Sequence, residues 1–218
     1  MWDQDDVATT TPMSNDAEIF SIPKICTRCD LRPGDADAID AVASELNSLA
    51  SDIEVPTGVG FCMAIARDWV TQVGNLDTVF GRGYGEEVDW CQRARIKGAR
   101  HLAVRNLFVE HRGGASFGSA DKMAMVTKNN RIVSGRYPDY NEDVQFFIHS
   151  DPMLMERLVL GVAWADRQAR AAGGTLSIYL AHSLGGGAEI HLKQQIANDV
   201  DQLGGAIVIR VGGEARWQ

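Results

Sequence analysis

Apolar positions along this chain fall into two rhythms, one helical and one extended. Ile39, Val42, Leu46 and Leu49 lie on one face of a helix that starts behind the Pro33-Gly34 turn, with Asp35 as its cap, and predict a helix over 35–49. Arg67 to Val73 reads as a short helix ended by Gly74, and Val88, Cys91 and Ala94 recur at helical spacing up to Gly98. Asp121 to Ser134, Asp151 to Ala171 and Ala188 to Leu203 complete the helical stretches. The extended rhythm predicts strands at Val7 to Thr11, ending at Pro12, and along the near-continuous apolar run Thr57 to Ala66. Two short strands are expected at His101 to Val104 and Phe108 to His111, then two more at Leu176 to Ala181 and Ala206 to Arg210. Gly58 and Gly60 inside the Thr57 run mark either a bulge or a close approach by a ligand or another backbone.

Strands and helices alternate, which makes the chain α/β. A change of pattern at Gly173-Gly174 divides it, because Leu176 to Arg210 reads as a strand–helix–strand unit of its own with parallel strands. At 218 residues and 45% hydrophobic, the chain can bury one good core or two small ones. A formal net charge of -8 argues against non-specific binding to nucleic acid or to an anionic membrane. No apolar run approaches the ~20 residues of a membrane span, and the opening Met1 to Asp6 is acidic rather than leader-like. Four cysteines (26, 29, 62 and 91) are too sparse for a disulfide framework and point to a reducing cytoplasm. Cys26-x-x-Cys29 is half a zinc motif at most, since a zinc site takes about four ligands and Cys62 and Cys91 read as buried thiols.

The chemistry gathers in Gly81-Arg82-Gly83-Tyr84-Gly85-Glu86-Glu87-Val88-Asp89-Trp90. Glycines at alternate positions allow sharp bends and close approach, and three acids then fall in the first turn of a helix. The positive end of the helix dipole favours their charged form, so a carboxylate here suits a general base or a metal ligand. Acids in a first turn also serve helix stability alone; the flexible loop and the aromatic neighbours Tyr84 and Trp90 favour a site.

Gly85 to Ala94 resembles the acid motif of the inverting glycosyltransferases of family 2, G-E-D-x-D-[FLW]-x-x-R. Val55 to Cys62 resembles the family's strand before the acceptor site, Val73 to Asp77 its G-x-[FL]-D turn, and Phe108 to Gly114 its late histidine segment. The set runs in the family's order over roughly Asp6 to Pro152 and is most similar to bacterial enzymes that build surface polysaccharides. The resemblance implies a partial GT-A (nucleotide-diphospho-sugar transferase) layer lacking its N-terminal half over residues 1–152. A connecting helix (153–173) and the truncated beginning of a GT-B-like domain (174–218) would follow, the latter carrying an H-x-L-G-G-G loop.

By that resemblance, Glu87 takes the position of the catalytic base, where the family more often has Asp. Glu86, Asp89, Gly83, Tyr84 and Trp90 would bind substrate, and His111 would be a metal ligand. The implied cofactor is Mg²⁺ or Mn²⁺, with ligands partly outside this chain. The family's D-x-D motif is absent, because Asp3-Gln4-Asp5 has no strand before it, so the fragment alone is expected to be inactive. The implied partners are a nucleotide-sugar donor and a glycan or lipid-linked glycan acceptor, with no nucleic acid. The implied place is the cytoplasm or the cytoplasmic face of the inner membrane, reached through regions outside this chain.

Two further classes remain. A non-catalytic module could bind glycan without turning it over. An α/β-hydrolase-type esterase would use Ser183, since Ala181 to Gly185 approximates a nucleophile elbow. Its histidine should follow on a later strand, whereas the only one after Ser183 is His191 in the next helix, which disfavours it.

Overall fold

In a computed structural model, the described residues are 4–46, 52–81, 83–113, 119–182 and 187–211. The fold is mixed α/β, with one three-stranded and one two-stranded sheet. β1 (Val7–Met13) is the central strand of the larger sheet. It pairs antiparallel with β2 (Ala64–Ile65) and parallel with β3 (Arg100–Phe108). Pro12 lies within β1, and the register shifts just after it, where proline offers the ladder no N–H.

Successive residues of a strand face opposite ways, and β1 accordingly feeds two cores. Met13 joins Phe20 and Ile22, Ile39 and Ala43 of α1 (Asp35–Ser44) and Phe108. Ala8 joins Trp69 of α2 (Arg67–Val73) and Trp90, Cys91 and Ala94 of α3 (Glu86–Ile96). Beyond β3 come α4 (Ser119–Arg136), α5 (Tyr140–Ser150) and α6 (Leu154–Ala171). The chain closes with β4 (Thr175–His182), α7 (Gly187–Leu203) and β5 (Gly204–Val211), the two strands parallel and in unbroken register.

The strand–helix–strand tail therefore matches its expectation, and so do the helices α1 and α3. Several local expectations change. Thr57 to Ala66 is not a strand: only Ala64–Ile65 pairs, and the chain before it turns away from the ladder. There the N–H groups find side chains instead, Gly58 N–H donating to Cys91 Sγ and Val59 N–H to Thr11 Oγ1. Cys62, expected to be buried in that strand, is consequently exposed. The two short strands around His101 are one continuous β3, with His111 lying beyond its end. Asp35 begins α1 rather than capping it; Gly34 is the cap, and the Asp35 carboxylate accepts from Arg32 N–H at 2.9 Å. The helix predicted over 35–49 ends at Ser44 with Glu45 as its C-cap, and 47–49 lie outside the described residues.

The expected connecting helix belongs to the core. Met153 and Leu160 are buried in it, and Trp164 and Gln168 of α6 donate to the Asp35 carboxylate. Arg157 is fully buried, pairs with Asp151 at 3.0 Å, and donates to the carbonyls of Ile19 and Ser21. Arg157→Ala should therefore destabilise the protein by about 3–5 kcal/mol, because it leaves a half-buried carboxylate and two carbonyls without their donor. A urea titration showing an unchanged midpoint would contradict this.

Candidate functional site

The site is built where the glycine loop delivers the chain into α3. Gly83, Tyr84 and Gly85 have φ of 130°, 68° and 113°, so three residues in succession take positive φ before the helix begins. A side chain at Gly85 would also press on the Phe80 ring at 3.3 Å, which makes glycine doubly required. Asn129 of α4 holds the loop from behind, donating at 2.9 Å to the carbonyls of both Phe80 and Gly83.

Glu87 leaves the first turn of α3 and lines a cavity of about 430 Å³. Glu18, Thr57, Tyr84, Asn130 and Tyr140 line it too. Gly60 borders the carboxylate directly: a Cβ there would lie 3.7 Å from Glu87 Cγ. The neighbour at Gly60 is thus the Glu87 side chain, not the ligand or second backbone expected there. Burial, reinforced by the charge of Glu86, pushes the Glu87 carboxyl up to about 7, although N–H groups of the helix start, including Gly85 at 3.2 Å, work in the opposite direction. The helix terminus was expected to keep this carboxylate firmly ionised; desolvation outweighs it. Glu86 points elsewhere, and its Oε2 is buried with no hydrogen-bond partner among the described residues.

Asp89 and Trp90, expected to contact substrate, are occupied in the packing. Asp89 is 0% exposed and receives Arg93 Nε at 2.8 Å, Arg136 Nη1 at 2.6 Å and the Tyr137 hydroxyl at 2.8 Å. Burial alone would raise its pKa, but these three donors prevail and hold it below the ordinary carboxylate value. Trp90 is buried in the second core, with its indole N–H on the Gly74 carbonyl at 2.8 Å. Neither residue lines the Glu87 cavity, whereas Tyr84 does; Gly83 supports the loop.

His111 lines a different cavity, of about 530 Å³, together with Asn15, Arg28, Arg32 and Arg112. The segment Gly60-Phe61 stands between the two, Gly60 against Glu87 and the Phe61 ring stacked on the imidazole at a 5.3 Å centroid distance. Asn15 fixes the histidine backbone, accepting from His111 N–H at 2.8 Å and donating to its carbonyl at 3.2 Å. The imidazole Nδ1 bonds the Asp16 carbonyl, so Nδ1 carries the proton and Nε2 is the free ligand atom. A Cβ at Gly113 would sit 3.5 Å from that Nε2 and 2.6 Å from Asp16 Oδ2, which puts an imidazole and a carboxylate side by side. An imidazole and one carboxylate would need water, phosphate oxygens or further side chains to complete a divalent ion's coordination, and among the described residues no group of three or more His, Cys, Asp or Glu could hold a metal. These residues do not by themselves make the metal site that the resemblance implies.

The remaining candidates are quiet. Burial raises the thiols of Cys26 and Cys29, the latter to about 11, which makes them poor nucleophiles. Lys128 and Arg131, basic residues of α4, are exposed and line neither cavity. Ser183 lies outside the described residues. Sequence reasoning missed α5, which supplies Tyr140 and Asn141 to the Glu87 cavity. Asp139 followed by Val144, Phe147 and Ile148 at helical spacing was the signal.

Glu87 has its pKa raised by folding, so the native state becomes less stable as pH rises from the ordinary glutamate range through about 7. Glu87→Gln should stabilise the protein at pH 8 by on the order of 1–3 kcal/mol and make little difference at pH 4. Denaturation at both pH values measures it, and a pH-independent effect would refute it. Asp89 has the opposite sign, its stabilisation being present at neutral pH and lost as pH falls below the ordinary aspartate range. Asp89→Asn should cost about 2–4 kcal/mol at pH 7, read from the urea midpoint, with the difference shrinking in acid.

Comparison of the chain with family models, with curated proteins and with solved structures finds no match, so what this site can do follows from its own residues.

Proposed function

We propose that the chain is the acceptor-side half of an inverting GT-A glycosyltransferase, with Glu87 as general base. The observation that carries this is the Glu87 carboxylate, set in a cavity wall with its pKa pushed up to about 7. A base with a pKa near the working pH removes a proton better than an ordinary carboxylate while remaining largely available in its ionised form. The substrate proton would come from a glycan hydroxyl hydrogen-bonded to Glu87. As the O–H bond yields its proton to the carboxylate, the oxygen attacks the anomeric carbon of a nucleotide-linked sugar. The bond from that carbon to the diphosphate oxygen breaks on the opposite face, its electron pair leaving with the nucleotide diphosphate. One inversion results.

His111 with Mg²⁺ or Mn²⁺ belongs to this reading as a donor-side element, and its further ligands would come from outside the described residues. Asp89 enters as the residue that holds α3 in place rather than as a contact to the acceptor. The setting we propose is the cytoplasmic side of a membrane where surface polysaccharide is made. Among the described residues, no helix is long and apolar enough to cross a membrane. Residues 174–218 are read as the start of a second, GT-B-like unit.

In an enzyme that carries this chain joined to a donor-binding half, Glu87→Gln should lower turnover by roughly 10²-fold or more while sparing donor binding. The parent should gain activity as pH rises through about 7, because Glu87 must lose its proton to act. His111→Ala should instead weaken metal-dependent donor binding. Normal turnover in the Glu87→Gln enzyme would end the proposal.

A further inference from the structure

The wall of the Glu87 cavity that faces α3 is made by the α4–α5 elbow, and its chemistry is of one kind. α4 contributes Asn130 and Ser134, and α5 contributes Tyr140 and Asn141. Asn141 Nδ2 donates to Ser134 Oγ at 3.1 Å across the elbow. That bond leaves the Ser134 hydroxyl proton and Asn141 Oδ1 available, a donor and an acceptor fixed side by side. The Asn130 amide makes no hydrogen bond among the described residues, so both of its functions are uncommitted. Burial and the nearby Glu18 charge raise Tyr140 above its ordinary value, which keeps it a neutral hydroxyl. Between these groups lie the apolar surfaces of Val88, Val126 and Val133.

Charge decides what such a wall can hold. The acids lining the cavity are Glu18 and Glu87, and no lysine or arginine lines it among the described residues. A phosphate seated there would be desolvated beside like charge without a cation, which is strongly unfavourable. Arginines line the other cavity instead, where Arg28 and Arg112 pair with Asp30 and Glu110 and Arg32 stands nearby. A ring bearing several hydroxyls and apolar C–H faces fits the wall, since amides and hydroxyls satisfy the one and valines the other. The cavity, at about 430 Å³, is also within the range of roughly 300–1,000 Å³ usual for small-molecule sites.

We propose that the α4–α5 elbow is a recognition surface for an uncharged, hydroxyl-rich sugar ring, with Asn130, Ser134 and Asn141 reading its hydroxyls. Calling that ring the acceptor rests on the transferase reading; its being uncharged does not. Under that reading, a hydroxyl of the ring is presented to Glu87, and the phosphates of either substrate lie outside this cavity. The three residues are then determinants of which hydroxyl is offered.

Amide-resolved NMR titration of the whole chain tests this with three probes: a set of neutral methyl glycosides, inorganic phosphate and uridine diphosphate. At least one methyl glycoside should shift the amides of Gly85, Asn130, Ser134 and Asn141, and neither anion should move them. Asn130→Ala and Asn141→Ala should each weaken that glycoside about tenfold, with far-UV circular dichroism and thermal midpoint retained. Asn141→Gln, which keeps the amide, should recover part of the loss if the role is recognition. Shifts of the same amides by phosphate or uridine diphosphate would overturn the proposal, as would the absence of any response across the glycoside set. Glycoside binding in the cavity without transfer in the joined enzyme would leave this inference standing and remove the transferase reading.

Discussion

The buried carboxylate of Asp89 is the constraint on which the site depends. It gathers three donors from separate parts of the chain: Arg93 one turn on in α3, Arg136 at the end of α4, and Tyr137 just beyond it. Two of these reach further. Arg93 also holds the carbonyls of Val73 and Asn75, and Arg136 also pairs with Asp77, whose carboxylate caps the short turn leading to Phe80. One buried charge thus ties the start of α3, the loop before it and the end of α4 into a single frame. That frame fixes both walls of the cavity that Glu87 lines.

Glu87 and Asp89 stand two residues apart in the same helix turn, yet folding moves their pKa values in opposite directions. The helix terminus acts on both, so it cannot explain the difference. Partners do. Asp89 has two guanidinium groups and a phenol, whereas Glu87 has weak backbone donors, a neighbouring acid and partial burial. The acid without a strong partner is the one left able to exchange a proton near neutral pH. Such a division of labour between adjacent carboxylates is what general base chemistry needs beside a rigid support.

Much of the architecture was legible because periodicity and turn residues agree with the fold. The stop at Gly74, the acids opening α3 and the strand–helix–strand tail all follow from local pattern. Thr57 to Ala66 misled because an apolar run is evidence of burial, not of pairing. Its backbone groups bond to Thr11 and Cys91 side chains, distant contacts that composition does not reveal. The acid cluster was legible as a place but not as roles. Which acid is clamped and which is free depends on Arg136 and Tyr137, far along the chain, and no spacing rule links them to Asp89. His111 was found by resemblance, but its backbone is held by Asn15 and its ring by the Asp16 carbonyl and Phe61, none of which spacing links to it.

The second sheet shows the same dependence on a single element. A parallel strand pair is normally covered on both faces. α7 covers one, tied by Tyr179 to Asp199 and by Arg210 to Glu189. On the other face the register sets Leu176 beside Gly205, Ile178 beside Ile207 and Leu180 beside Ile209. Only the Leu176 end meets α6, where a Cβ at Gly205 would lie 3.7 Å from Ala169, while Ile178 and Leu180 remain 54% and 75% exposed. Among the described residues the larger fold therefore supports the tail through α6. That helix is itself fixed by Arg157 and by its bonds to Asp35. The β4–α7–β5 unit can form from local contacts alone, but its placement is inherited from a buried arginine in α6 and a buried aspartate at the start of α1.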